Sequence, residues 1–208
     1  MAEQDKIKVA NEALRRFGAG TILSFEEETQ KAATVAAIYA TVVDDAFQAT
    51  RWTFARRTAR LDLLPDAPLS GYARAFALPG DRVGDPVKVI ANPSLPDHPL
   101  RIFALEGDEL HANVTAVWAT CVRRVDPNYW PPMFRRAVVT ALAAELVVPI
   151  SHDTKLADNL RAQTWGTPSE GGRGGLMGRA MAIDVASSPG SAAPIGAVDP
   201  LTDAWHGE

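Results

Sequence analysis

Apolar residues recur at helical spacing towards both ends of the chain and at alternate positions through its middle. Ile7, Ala10, Leu14 and Phe17 make one helical face, and Gly18 and Gly20 follow at once. Glycine tolerates the left-handed backbone that closes a helix, so the first helix is predicted to stop near Phe17. A second helix is predicted from Ser24 to about Thr50. Ser24 and Glu27 have capping-box spacing, with the hydroxyl accepting from the backbone N–H at Glu27 and the carboxylate reaching back. Glu26, Glu27 and Glu28 favour the positive end of the helix dipole. The body carries a wide stripe through Ala32, Val35, Ala36, Ile38, Tyr39, Val42, Val43, Ala46 and Phe47. Its small residues admit a close neighbour, so this helix is expected to be the spine of the core.

The middle of the chain changes period. Trp52 and Phe54 alternate with polar residues, which predicts an extended segment leaving the helix. Residues 72–78 alternate and end at Leu78-Pro79-Gly80-Asp81; residues 87–91 fit a second strand. Residues 101–105 and 109–112 flank Glu106-Gly107-Asp108 as a hairpin. Residues 116–122 read as another strand, with Val117 or Trp118 turned to the core. Strands joined by short turns, without helices between them, argue for an antiparallel arrangement.

Helix returns after Asp126-Pro127. Proline suits a first helical turn, where its missing N–H is not needed. Phe134, Val138, Ala141, Leu142 and Leu146 mark one face, and Pro149 is expected to end it. A further helix is predicted over 153–165, with Leu156, Ala157 and Leu160 inward. The glycine-rich residues 166–175 interrupt, since each glycine costs a helix about 1 kcal/mol against alanine, and helix resumes near 176–185. Residues 186–208 are rich in Ser, Pro, Gly and Ala, lack Lys and Arg, and are expected to be disordered alone. The predicted fold is α+β: a discontinuous helical bundle (1–66 and 124–185), an inserted small antiparallel β-sheet lobe (67–123) and an extended C-terminal tail (186–208).

Composition narrows the picture. A hydrophobic content of 47% in 208 residues supports a real core. A net charge of −4 excludes nucleic-acid binding over the whole surface and leaves room for one local basic patch. Cys121 is the single cysteine, so neither an intrachain disulfide nor a zinc–cysteine site is available, and a buried, inert thiol is expected. The N-terminal residues show no apolar signal core, and no apolar run reaches the roughly 18 residues of a membrane span. A soluble protein, cytoplasmic within a cell, is expected.

Candidate chemistry is sparse. Arg51, Arg56, Arg57 and Arg60 crowd ten positions, either as a solvated basic edge or as a site for an anionic partner, nucleic acid or an acidic neighbouring subunit. Gly172-x-Gly174 has Met177 where a dinucleotide fingerprint needs glycine, and Thr167-Pro168-Ser169 precedes it instead of a strand. His98, His111, His152 and His206 read as scattered surface residues, with only His152 beside a carboxylate, Asp153. No G-x-S-x-G elbow occurs. Trp52, Trp118, Trp130 and Trp165 read as core residues. Trp205 differs: with Ile195, Val198 and Leu201 it punctuates the tail every three or four residues, as anchors on a partner's surface would. No catalytic set, cofactor or metal site is expected.

One ordered set of motifs resembles a known family. N-x-A-L-x-x-[LF]-G-A is followed by [IL]-x-S-F-[DE]-[DE], a small-residue helix with tyrosine, and W-x-F-A-x-x-x-A-x-L. It is carried by Asn11, Ala13, Leu14, Gly18, Ala19, Ile22, Ser24, Phe25, Tyr39, Trp52, Phe54, Ala55, Ala59 and Leu61. Tyr72, Phe76, Leu78, Pro79 and Asp81 extend it, and a second landmark falls at Asp126, Pro127, Phe134, Ala137, Ala141, Leu142, Ala143 and Leu146. The set resembles the tail tubular protein A group of phage head-to-tail adaptors, also called head completion or gatekeeper proteins. It covers about residues 5–165 and departs at 166–175, where relatives continue an alanine-rich helix.

The resemblance implies a structural, non-enzymatic connector subunit in a dodecameric ring beneath the portal of a tailed phage or a phage-like particle such as a gene transfer agent. The ring would extend the DNA channel and join capsid to tail. Implied partners are the portal protein, further copies of the chain, the next tail component and double-stranded DNA that passes without sequence-specific binding; no membrane is involved. The implied location is the head–tail junction of the virion, after a cytoplasmic assembly phase. Adaptors of this group commonly grip the portal with C-terminal segments, which gives Ile195, Val198, Leu201 and Trp205 that role, and Arg51, Arg56, Arg57 and Arg60 a role at a subunit interface or the channel. The alternative is a small DNA-binding protein using residues 51–60. A hydrolase using His152 and Asp153 is a more distant one.

Overall fold

The computed structural model describes residues 2–187; the tail anchors Ile195, Val198, Leu201 and Trp205 lie outside the described residues. Helices α1 (Ala2–Arg15) and α2 (Gln30–Gln48) come first. The strands are β1 (Arg56–Arg60), β2 (Asp62–Leu63), β3 (Arg74–Ala77), β4 (Lys88–Ile90), β5 (Ala104–Glu106), β6 (Glu109–Ala112) and β7 (Trp118–Val122). Helices α3 (Pro132–Ser151), α4 (Thr154–Trp165) and α5 (Gly175–Ala186) complete the chain. The fold is α+β, as the patterning predicts.

The spine of the helical part is α3, where the sequence pattern favoured α2. Every residue of α3 from 137 to 144 is buried, with no charged position among them, and α1, α2, α4 and α5 all pack on it. A helix apolar all round belongs in the middle of a bundle. Helix α2 buries one face instead, through Ala32, Val35, Tyr39, Val42, Val43, Ala46 and Phe47. Pro149 does not end α3. It sits in the last turn, and the helix closes at His152, which takes the left-handed conformation (φ 57°) while its N–H donates to the Val148 carbonyl. Asp153 then caps α4, its carboxylate accepting from Leu156 N–H at 2.9 Å.

Helix α2 starts five residues later than the capping-box spacing predicts. Thr29 is the N-cap, its hydroxyl accepting from Ala32 N–H. Ser24 and Glu27 close a local turn instead: Ser24 Oγ accepts from Glu26 N–H, and the Glu27 carboxylate reaches back to Leu23 N–H. The turn is held from outside. The Asn11 side chain both donates to the Ile22 carbonyl and accepts from Ile22 N–H, each at 2.9 Å, and the Phe25 ring packs 5.4 Å from Tyr39. These contacts spend residues 22–28 on a clamped loop.

The strands form two antiparallel sheets, ordered β1-β7-β4 and β2-β3-β6-β5, over a second core built from Leu61, Phe76, Leu78, Val89, Leu110, Val117 and Cys121. Strands β1 and β2 belong to these sheets, so the sheet part begins at Arg56, ahead of the boundary at 67 that the sequence suggested. Val117 is the inward residue and Trp118 is only half-buried. The hairpin β5–β6 turns at Gly107, which has a positive φ, with Glu106 facing Glu109. The glycine run 166–175 is an elbow that folds α5 back onto α3 and α4. Gly175 has φ +57°, and a Cβ there would meet the Gln163 carbonyl at 2.5 Å and the Thr164 carbonyl at 2.7 Å.

Candidate functional site

The segment between α2 and β1 is fixed by aromatic packing. Trp52 and Phe54 lie 4.8 and 5.0 Å from Phe134, ring centre to ring centre, and Trp130 lies 5.3 Å from it. Both indoles are anchored: Trp52 Nε1 donates to the Ala46 carbonyl and Trp130 Nε1 to the Val125 carbonyl. A second lock comes from α5. The Asp184 carboxylate, buried, accepts from Thr53 N–H at 2.9 Å and from the Thr53 hydroxyl at 2.7 Å. The arginines that follow therefore leave a rigid base.

The structure separates the four arginines of residues 51–60. All are exposed, and among the described residues none is in an ion pair. Arg56 turns back, its Nε and Nη2 donating to the Arg51 carbonyl at 3.0 and 2.6 Å. Arg51 itself lines a shallow hollow with Gln48, Val83 and Asp85. Arg60 stands about 13 Å along β1 from Arg56 at the usual strand rise, with its guanidinium 5.8 Å from the centre of the Trp118 ring, within cation–π range.

Arg56 and Arg57, neighbours whose side chains leave opposite faces of β1, both border one cleft. They share an open cleft of about 320 Å³ with Arg123, Arg124, Asp81, Asp126, Phe54 and Tyr129. Arg124 is committed to Asp44, with both forks at 2.6 Å. Arg123 reaches Asp81 only at 3.4 Å, and its Nε is buried without a partner. The cleft thus keeps an excess of positive charge beside an exposed tyrosine, Tyr129. Sequence reasoning reached Arg56 and Arg57 but missed Arg123, whose strand-end position carries no local signal.

The arginines of β1 also contribute to one face of the first sheet. Facing partners and alternate residues of an antiparallel sheet share a side. Arg56, Thr58 and Arg60 therefore lie with Thr120 and Trp118 of β7 and Lys88 of β4. Thr58 and Thr120 join hydroxyls at 2.7 Å. Strand β1 is an edge, and charged residues on an edge also discourage unwanted strand pairing.

The remaining candidates fall elsewhere. His111 is a correction: it is 2% exposed, not a surface residue. Its Nδ1 lies 2.8 Å from Ser70 Oγ and its Nε2 lies 3.0 Å from the Glu109 carboxylate. Glu109 and His111 share a side of β6 by simple alternation, whereas Ser70 arrives from a loop that no local pattern connects to them. The imidazole ties that loop to the β5–β6 hairpin. His152 and Asp153 are both engaged in helix capping. Cys121 is buried in β7, and burial pushes its thiol up despite the opposing pull of Arg123 and Arg82. The Tyr39 hydroxyl is buried without a hydrogen-bond partner, and burial raises its pKa above the usual tyrosine value. Among the described residues no group of three His, Cys, Asp or Glu is placed to hold a metal ion, and no helix is long and apolar enough to cross a membrane.

Comparison with models of protein families and with curated proteins returns no match to this chain.

Proposed function

We propose that this chain is a structural head-to-tail adaptor: a ring subunit beneath the portal of a tailed phage or phage-like particle, extending the DNA channel and joining capsid to tail. The observation that carries the reading is where the motif residues lie in the fold. Trp52 and Phe54 belong to one stretch of the adaptor-like pattern, Phe134 to another, and the whole sheet lobe separates them in sequence. In the structure they form one aromatic cluster. Asn11, another pattern residue, clamps Ile22 of the same pattern. These apolar pattern residues thus pack together in one core, as a shared fold requires. Under this reading the portal is gripped by the tail anchors Ile195, Val198, Leu201 and Trp205, and Arg56 and Arg57 face a neighbouring subunit or the channel.

Deleting residues 188–208 tests it. The cut leaves α5 intact, including the Ser187 hydroxyl that donates to the Asp184 carbonyl. The truncated protein is expected to unfold at nearly the same temperature as the full chain but to lose co-sedimentation with portal rings, and Trp205→Ala to lose much of it. Undiminished co-sedimentation of the truncated protein removes the tail from this role.

The face carrying Arg56, Arg60 and Lys88 around Trp118 favours a second reading, a small DNA-binding protein. Salt separates the two. A DNA binder loses affinity steeply as salt rises, because each phosphate contact releases counterions. A channel through which a duplex must slide is expected to show little affinity at any salt.

A further inference from the structure

The loop ahead of α2 is built to present side chains outward. Asn11 holds Ile22 by two hydrogen bonds, Ile22 is buried, and Phe25 packs on Tyr39. Between and beyond these anchors the loop displays Leu23, which is 86% exposed, and the glutamates Glu26 and Glu28, which are exposed as well. Among the described residues neither glutamate is in an ion pair. The nearby cation Lys31 donates instead to the Gly20 carbonyl. A clamped loop that leaves a leucine and carboxylates in solvent has the form of a docking element.

Its complement lies at the other end of the same helix. The acidic loop precedes Gln30, the first residue of α2, and the basic cleft follows Gln48, its last. The 19 residues of α2 span about 28 Å at 1.5 Å per residue. The loop folds back along α2 as far as Tyr39, yet among the described residues no ion pair joins Glu26 or Glu28 to the arginines of the cleft. Between two chains they match: Glu26 and Glu28 against Arg56, Arg57 and Arg123, and Leu23 against Phe54 and the exposed Tyr129.

We propose that the acidic loop of one copy docks in the arginine cleft of the next. The contact joins two different patches, so it is head-to-tail, and repetition makes a ring if the rotation closes or an open chain if it does not. The contact stands on the opposite charges of the two patches and their exposure alone; only its closure into a ring rests on the adaptor reading.

Charge reversal at each end tests it. Mass measurement of the full-length protein at low salt is expected to show assemblies larger than a dimer that high salt disperses. Glu26→Lys with Glu28→Lys, or Arg56→Glu with Arg57→Glu, is expected to weaken association at least tenfold. An equal mixture of the two variants restores it, because lysine loops then face glutamate clefts and glutamate loops face arginine clefts in alternation. Leu23→Cys mixed with Tyr129→Cys is expected to form a disulfide-linked pair in preference to either variant with itself. Association indifferent to both reversals, a mixture that stays dispersed, an assembly that stops at a dimer, or no preferred Leu23→Cys to Tyr129→Cys cross-link each overturn the proposal. Failure here with portal binding intact leaves the adaptor reading standing. Charge-dependent assembly without portal binding does the reverse.

Discussion

Asp184 shows how one side chain fixes the geometry of a distant surface. It is a buried carboxylate whose oxygens accept from the backbone and the hydroxyl of Thr53. Thr53 stands between Trp52 and the arginines, so this contact ties the last described helix to the base of the basic segment. Asp184→Ala removes the acceptor and leaves Thr53 N–H unmatched in a partly buried site, a loss of about 1–3 kcal/mol. Denaturant unfolding is expected to shift by that amount, with an unchanged slope, whereas an unchanged midpoint would mean that the contact carries no stability. Asn11 does comparable work on the other side, since one amide satisfies both backbone groups of Ile22. Neither contact is visible to periodicity, because each joins an ordinary polar residue to a backbone position far along the chain.

Elements with strong local signals were legible in the sequence, and the exceptions share a cause. Helix α4 begins within a residue of its expected start, the β5–β6 hairpin turns at Gly107, and α5 begins within a residue of its expected start. The start of α2 was misplaced because the Asn11 clamp overrides a good local capping sequence. The length of α3 was underestimated because a proline in a final turn need not break a helix whose body is fully buried. The adjacency of Arg57 and Arg123 was illegible: β1 and β7 bring them together across more than sixty residues. The glycine run had a legible role as a break but not as an elbow. That elbow gives a test. Gly175→Ala puts a methyl group against the Gln163 and Thr164 carbonyls in a left-handed backbone. It is expected to destabilise the fold by about 1–3 kcal/mol, chiefly by lifting α5. Hydrogen exchange is expected to accelerate in α5 before α3, and uniform protection across both would contradict this account of the elbow.

The chain as a whole is modestly acidic, yet it carries a local arginine cleft after α2, and the segment that leads into it stands on an aromatic base. The adaptor reading adds that such a chain sits on a portal. Electron microscopy of portal rings incubated with the full-length protein tests that reading most directly. The account predicts an added layer of density on one end of each portal, coaxial with it, with cyclic symmetry and a central opening wide enough for a DNA duplex. Portal rings that stay bare while the protein remains dispersed in the background would contradict it.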